Sequence, residues 1–588
     1  MKKDVGHAFS DGIYEEKIRR QKKEGSIGKN EVVRVLPLVI LVLVFLVLFL
    51  RLFTLQVVRA SYYARLSDEN RIRTELITAP RGIILDRNGQ ALVRNTPAFG
   101  ILKENKIEWL TKEEALKRIS NNQKTWAFPQ REYLYKDVFA HALGYIGQLN
   151  SEEVLLPDYK DYGISDFTGR MGLEEQYEKF LHGENGKELY EVNAKGEKIR
   201  LLGKEEARSG YVINTTLDID LQKASAEAMK DIQKGAVVVS DPRNGEILAL
   251  FSKPSFDPNL FTREEEYEPA GDYSNKEEIL TDNDNQPLLN RAIGGVYPPG
   301  STFKIVTAIA ALKDNAIEPD TEFEDTGVIE IGGSTFGTWN YLEHGRKEGS
   351  MNVTTALKRS NDIFFYHAGM KAGVDTIDAW ARNLGLGEMS GIDIPGEVKG
   401  TIPNPTWKEK TLNEQWYLGD TINMSIGQGY LEVTPLQVNR YTQVVASNGE
   451  LYRPHIIKGA DKLLKKDIIS DNEIQAIKEG MRQACETGGT GYPLFNFKVQ
   501  NSKLKIDELD YVKDASAGAN MVHVAMGCKT GTSEAHGYDA KSHAWFTVFA
   551  PFYNPEIVIT VLAENAGQGS DIAAPVARDI MKKYFERK

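Results

Sequence analysis

The smallest unit in this 588-residue sequence that could attack a carbonyl is a serine followed three residues later by a lysine. In Pro298-Pro299-Gly300-Ser301-Thr302-Phe303-Lys304, the Pro-Pro-Gly run cannot be helix interior, so a helix is expected to begin near Ser301. The i, i+3 spacing puts Ser301 and Lys304 on one helical face. The residues after Lys304 (IVTAIAAL) are almost all small or apolar, so the helix should be buried. Burial disfavours the charged form of a lysine, and an uncharged amine one turn away can take a hydroxyl proton. Backbone N–H groups at the helix start could then stabilise the oxyanion that attack creates.

The spacing alone carries little weight, because Ser26–Lys29 and Ser502–Lys505 repeat it, one flanked by glycine and one in a polar loop. Two further motifs strengthen the Ser301 site. Ser360-Asn361-Asp362 lies 59 residues on, ahead of an aromatic run; alone it reads equally well as a helix N-cap. Lys529-Thr530-Gly531-Thr532 precedes the apolar segment HAWFTVFA. It offers a cation and hydroxyls for a substrate carboxylate, and Gly531 leaves room for substrate backbone along a strand edge. The three motifs in this order form a specific signal.

The elements that must position them are legible. Residues 236–240 and 246–251 read as apolar strands joined by Asp241-Pro242-Arg243-Asn244-Gly245, a hairpin signal. Residues 543–550 and 556–563 read as buried strands, and 575–585 as a closing helix. Strands at both ends with helices between predict an α+β domain whose sheet is assembled from distant pieces. Upstream, residues 59–231 are polar and loop-rich with short strand-like pieces: 81–89 ending in Asn-Gly, 188–192, and 212–217. Residues 218–232 follow as an amphipathic helix, with Leu221, Ala224, Ala228 and Ile232 at helical spacing.

Val35 to Leu50 is an unbroken apolar run that continues less purely to Val58, long enough to span a bilayer. Pro37 is expected in the first turn of that helix. The first 34 residues carry nine Lys/Arg, including Lys17, Arg19, Arg20, Lys22 and Lys23, which predicts a cytoplasmic N-terminus. Everything after Val58 would then lie outside, in a compartment without ATP, which argues against kinase or ATPase chemistry. The net charge of −11 argues against a nucleic-acid partner. Cys485 and Cys528 are the only cysteines; they make no zinc pattern, and their pairing stays open.

With these motifs in view, the region from about Lys234 onward resembles the penicillin-binding transpeptidase domain. Tyr297-Pro298-Pro299-Gly300, Gly419-Asp420-Thr421 and Ser425-Ile426-Gly427-Gln428-Gly429-Tyr430 are similar to that family as well. Arg81-Gly82-Ile83-Ile84-Leu85-Asp86-Arg87-Asn88-Gly89 after a single membrane helix looks like the pedestal of its class B members. The Ser-x-Asp form most resembles the elongation-type group, the penicillin-binding protein 2 family. The resemblance implies an α+β fold: a membrane helix, a β-rich pedestal, and a transpeptidase domain with a central antiparallel sheet flanked by helices. The expected division is residues 1–34 cytoplasmic tail, 35–58 membrane helix, 59–231 pedestal and 232–588 transpeptidase.

The resemblance further implies D,D-transpeptidation of peptidoglycan stem peptides. Ser301 would attack the penultimate D-Ala carbonyl, Lys304 take its proton, and Ser360 relay a proton to or from the amines. Lys529 would support Ser360 and the substrate carboxylate. Thr530 and Thr532 would bind that carboxylate, Gly531 would line the strand, and the N–H groups of Ser301 and Thr532 would form the oxyanion hole. β-Lactam antibiotics would acylate Ser301. Implied partners are the SEDS-family glycosyltransferase RodA, rod-complex scaffold proteins and the membrane. No cofactor and no metal are expected: some relatives hold a metal between the first two motifs with Cys and His, but here that interval has His344 and no Cys. Asp362 is placed with Thr530, Gly531 and Thr532 among the substrate-binding residues, although most relatives carry Asn at that position and a carboxylate cannot donate to a substrate carbonyl as an amide can. Alternatives are a division-type transpeptidase, a D,D-carboxypeptidase, or a β-lactamase-like hydrolase. Glu409-Lys410-Thr411-Leu412-Asn413 matches a class A β-lactamase pattern but reads as coincidence.

Overall fold

The structure is a computed structural model. It describes residues 29–587 except 104–105, 122, 124, 160–161, 163–165, 194–195, 264–266, 502, 505–509, 514–520 and 535–540. Ser26, the Ser502–Lys505 pair and the basic residues 17–23 lie outside the described residues.

The chain divides into two units, residues 1–76 with 187–205, and residues 77–186 with 206–588. The first holds helix α1, Lys29–Phe53, and helix α2, Ala60–Arg71. Leu36–Val58 is the one stretch among the described residues long and apolar enough to cross a membrane, with mean hydropathy 3.0 and none of it buried in protein. The helix begins at Lys29, so Pro37 sits inside it rather than in its first turn. Lys29, Glu31 and Arg34, all tolerant of helix, carry it upstream, and the proline removes only one backbone hydrogen bond. A three-stranded sheet, in the order Ile72–Ile77, Gly186–Val192, Lys198–Glu205, completes this unit.

In the second unit the expected strand at 81–89 shortens to Ile84–Leu85, paired parallel with Ile213–Asn214 and antiparallel with Ala91–Lys103. That last strand has 13 residues and also pairs with Trp126–Tyr133. Arg94, Asn95, Thr96 and Pro97 interrupt its apolar pattern, so it was not legible as one strand. Below it Glu174, fully buried, receives Arg131 Nε at 2.7 Å and Arg81 Nη2 at 2.8 Å.

Helix α3, Ile219–Ala228, is capped by Asp218. The main sheet then forms from β1, Gly235–Ser240; β2, Ile247–Lys253; β3, Gly527–Ser533; β4, His543–Ala550; and β5, Ile557–Ala563. Its order is β2-β1-β5-β4-β3, every pair antiparallel. The near-continuous apolar runs of β4 and β5 are explained by burial on both faces. Trp545, Phe549, Val558 and Leu562 pack in one core, and Phe546, Val548, Ile559 and Val561 in the other, with the period of two that a strand imposes.

The first core contains helix α4, Lys304–Lys313; α5, Val353–Arg359; α6, Asp362–Ala372; α7, Pro435–Ala446; and α8, Asp471–Ala484. The closing helix α9, Ala574–Arg587, covers the second core. Lys304 through Leu312 are all buried, as the apolar run after Lys304 predicts. Cys485 and Cys528, left open by the sequence, are joined in a disulfide between the end of α8 and β3.

Candidate active site

Ser301 lies in a short 3-10 turn, Gly300–Phe303, that runs directly into α4 at Lys304. Three contacts fix the turn. The Trp545 indole N–H donates to Pro298 O at 2.9 Å, the Gly300 N–H donates to Gly427 O at 2.9 Å, and Thr302 Oγ1 accepts from the buried Tyr441 hydroxyl at 2.8 Å. The preceding Tyr297 donates to Glu564, which also pairs with Arg291 at 2.6 Å. Gly300 has φ +54°, and a side chain there would come within 2.6 Å of Thr532 O. Both facts require glycine, and the second shows how closely the serine turn lies against β3.

Strand β3 brings the third motif. It sits at the edge of the sheet, in register Lys529↔Thr547, Thr530↔Phe546, Gly531↔Trp545. A side chain at Gly531 would meet Thr302 Cγ2 and Trp545 Cβ at 2.9 Å and Pro299 O at 3.0 Å. Only a glycine lets this strand approach the serine turn so closely. Thr532 is the exposed residue of the strand, and its Oγ1 accepts from the Gly569 N–H at 3.3 Å.

The middle motif occupies a break between two helices. Ser360 ends α5 in the left-handed conformation, φ +53°, and Asn361 caps α6 by accepting from the Phe364 N–H at 2.9 Å. The N-cap reading and the site reading therefore hold together, on adjacent residues. A non-glycine residue held at positive φ carries strain that the surroundings must over-determine. Here Asn361 Nδ2 donates to buried Asp325 at 3.0 Å, which helps hold the corner.

The side chains meet in one buried knot. Lys304 Nζ donates to Ser360 O at 2.7 Å, Asp362 Oδ1 at 2.7 Å and Ser360 Oγ at 3.3 Å. Lys529 Nζ donates to Ser360 Oγ at 2.8 Å and Thr530 O at 2.9 Å. Ser360 Oγ thus accepts from both lysines, leaving its own proton available. The second oxygen of Asp362 accepts the Trp339 N–H at 3.0 Å. Both lysines are fully buried, and Ser360 and Asp362 nearly so.

Two ammonium groups and one carboxylate in such a place cannot all keep their solution charge states at no cost. Burial holds Lys304 below the ordinary lysine range, while Asp362 pulls it back up. Burial, reinforced by the charge of Lys304, pushes Lys529 well below that range. Lys304, so placed, gives up its proton more readily than an amine in water. Its three donors, however, are spent on Ser360 and Asp362. The hydroxyl of Ser301, one turn earlier and partly exposed, has no hydrogen-bond partner among the described residues. Burial disfavours the charged form of both lysines, and an incoming carboxylate would favour the charged form of Lys529.

Sequence reasoning missed several parts. Trp339, Tyr441 and Thr490, which accepts from the Thr530 hydroxyl at 2.8 Å, carry no motif signal. Glu409 is an exposed residue of the helix Pro405–Leu412. His344 lies 3.9 Å from Glu343 on the surface. Among the described residues the one grouping with metal-ligand spacing is Glu246, His455 and Asp461, where His455 Nε2 already meets Asp461 at 2.9 Å.

Comparison with known proteins agrees with this geometry. Residues 235–582 match the penicillin-binding protein transpeptidase domain, and residues 110–215 the penicillin-binding protein dimerisation domain. The peptidoglycan D,D-transpeptidase MrdA of Haemophilus influenzae is 33% identical, over 92% of this chain and 90% of that protein. The Escherichia coli protein of the same name is 32% identical over 92% and 91%. Among solved structures, the complex of PBP2 with MreC from Helicobacter pylori superposes with TM-score 0.71 at 27% identity, covering 87% of this chain and 99% of that one. Pseudomonas aeruginosa PBP2 in complex with WCK 5153 gives 0.67 at 28% identity, covering 87% and 96%. With both domains matched and the likeness running through nearly its whole length, the chain belongs to the penicillin-binding protein transpeptidase family, among its class B members of the PBP2 kind.

Proposed function

We propose that this chain is a serine-acylating peptidoglycan D,D-transpeptidase of cell-wall elongation, with Ser301 as nucleophile. The observation that supports this best is the convergence of three distant motifs: the serine turn packed on β3, and Lys304, Ser360 and Lys529 joined through one hydroxyl. A D-Ala-D-Ala stem binds along the edge of β3. Its carboxylate meets Thr530 and Thr532 and favours the charged form of Lys529. Lys304, in its neutral form, takes the Ser301 proton as Oγ attacks the penultimate carbonyl. The N–H groups of Ser301 and Thr532 hold the oxyanion. Ser360, fed by both lysines, passes a proton to the departing D-Ala amine. An amine of a second stem then attacks the acyl-enzyme, and the proton path runs in reverse. Asp362 orients Lys304, and Gly531 keeps the strand close to the turn.

In this reading residues 1–34 form the cytoplasmic tail, 35–58 the membrane helix, 59–231 the pedestal and 232–588 the catalytic domain. The basic tail argues for a cytoplasmic N-terminus and an external active site. The relative from H. pylori is described in complex with MreC, and another similar structure, at TM-score 0.71, concerns a peptidoglycan synthase complex. By that likeness this chain works with rod-complex scaffold proteins and within a peptidoglycan synthase complex; that its polymerising partner is the SEDS-family glycosyltransferase RodA rests on the family resemblance of the sequence alone.

The test is labelling with a fluorescent penicillin. The wild-type chain should form a stable covalent adduct, and Ser301→Ala none. An equally labelled alanine variant would falsify the nucleophile assignment.

A further inference from the structure

A loop outside all three motifs joins two of them. Cys485 ends α8, and its disulfide partner Cys528 immediately precedes Lys529 on β3. Between Cys485 and Gly491 the chain turns tightly, with the Gly489 N–H donating to Glu486 O at 2.9 Å and the Gly491 N–H to Ala484 O at 2.8 Å. Its far side reaches the end of α5. Arg359 Nη1 donates to Gly488 O at 2.5 Å, and the Thr490 N–H to Lys358 O at 3.3 Å, both partners directly before Ser360. From this doubly anchored position Thr490 Oγ1 accepts the Thr530 hydroxyl proton at 2.8 Å.

We propose that Thr490 is a positioning residue for recognition of the substrate carboxylate, acting through Thr530. This rests on the reading of Thr530 as a carboxylate ligand. In the resting site Thr530 spends its proton on Thr490. To donate to a carboxylate it must turn that proton outward, which would leave its largely buried oxygen without the partner it had. A hydroxyl can donate as well as accept, so Thr490 can reverse and donate to Thr530 while Thr530 donates to the substrate. Each hydrogen bond in such a chain polarises the next. Valine has nearly the same shape but can do neither. Serine can do both. The disulfide on one side and the α5 contacts on the other keep Thr490 from drifting away when its bond reverses.

The experiment compares acylation of the detergent-solubilised full chain by benzylpenicillin, which carries the carboxylate, and by its methyl ester, which does not. Thr490→Val should lower the second-order acylation rate constant for benzylpenicillin about tenfold, the worth of one hydrogen bond. The loss should fall on the pre-acylation binding constant rather than on the acylation step. The methyl ester should react equally with wild type and variant, and Thr490→Ser should restore the wild-type preference for the acid. Should Thr490→Val not fold, Thr490→Ala takes its place beside Thr490→Ser. An unchanged acid-to-ester ratio in the valine or alanine variant, or an equal loss in the serine variant, overturns the proposal. Failure of the underlying reading is seen separately, as an acid-to-ester preference that survives Thr530→Val.

Discussion

The Lys304 ammonium and the Asp362 carboxylate lie 2.7 Å apart in a site where the lysine is wholly shielded from solvent. Asp362 therefore raises the affinity of Lys304 for its proton against the burial that lowers it. Asp362→Asn keeps an acceptor for the Trp339 N–H but removes the charge. Lys304 should then lose its proton at lower pH, and the acid limb of the acylation pH profile should move to lower pH. The check is the pH dependence of penicillin acylation for both proteins; a limb that stays or moves upward is incompatible with Lys304 as base.

The disulfide closes a sequence separation of 43 residues. The chain-entropy relation gives ~4 kcal/mol for a loop of that size, a large part of the roughly 5–15 kcal/mol that stabilises a typical domain. The double substitution Cys485→Ala, Cys528→Ala should lower the melting temperature clearly. Reductant should lower that of the wild type toward the same value and leave the variant alone. A variant as stable as wild type would remove the bridge from the account of how β3 is held.

Much of this architecture was legible because the physics is local. The hairpin of β1 and β2 announces itself through Asp241-Pro242-Arg243-Asn244-Gly245, and β4 and β5 through apolar runs. Ser301, Lys304, Ser360 and Lys529 could be named from three short motifs. What joins them could not be. The 2.8 Å contact of Thr530 with Thr490 spans 40 residues with no periodic signal, and the Trp339 N–H contributes a backbone atom to which the sequence is blind. The 13-residue strand Ala91–Lys103 was hidden because its partners, not its own pattern, stabilise it. Lys304 was foreseen facing Ser301, yet its three donors go to residues 56 and 58 positions away, a matter of tertiary packing alone.

In the residue 77–186 region, Glu174 answers two buried arginines. Burial alone would raise its carboxyl, but Arg131 and Arg81 hold it below the usual range. Glu174→Gln keeps the volume but leaves the buried Arg131 guanidinium without its counter-charge and Arg81 with Glu178 alone, and breaking a buried pair costs about 3–5 kcal/mol. Limited proteolysis should open this region in the variant while penicillin labelling at short times persists. Resistance equal to wild type would show the pair to be dispensable. Because the folded pKa is depressed, the stabilisation is present above the unfolded carboxylate pKa and is lost as pH falls toward and below the folded one.

Lys478 provides the opposite case. It is buried on α8 beside Phe549 and Phe552, with Nζ donating to Asn448 at 3.0 Å. Burial lowers its pKa from 10.5 to about 8, against a weaker pull from Asp510. Between those values the unfolded chain binds a proton that the folded chain has released. Stability attributable to this residue therefore rises with pH across that window, by ~3 kcal/mol. Below pH 8 both states are protonated and the cost stays constant. Methionine fits the same aromatic surroundings without a charge to desolvate and forgoes one hydrogen bond, worth about 1 kcal/mol. Lys478→Met should accordingly melt at a higher temperature than wild type at pH 7, with the gap closing or reversing by pH 10. Parallel melting curves at both pH values would show that the lysine keeps its proton, and that Asn448 and the two aromatic rings hold the ammonium better than burial opposes it.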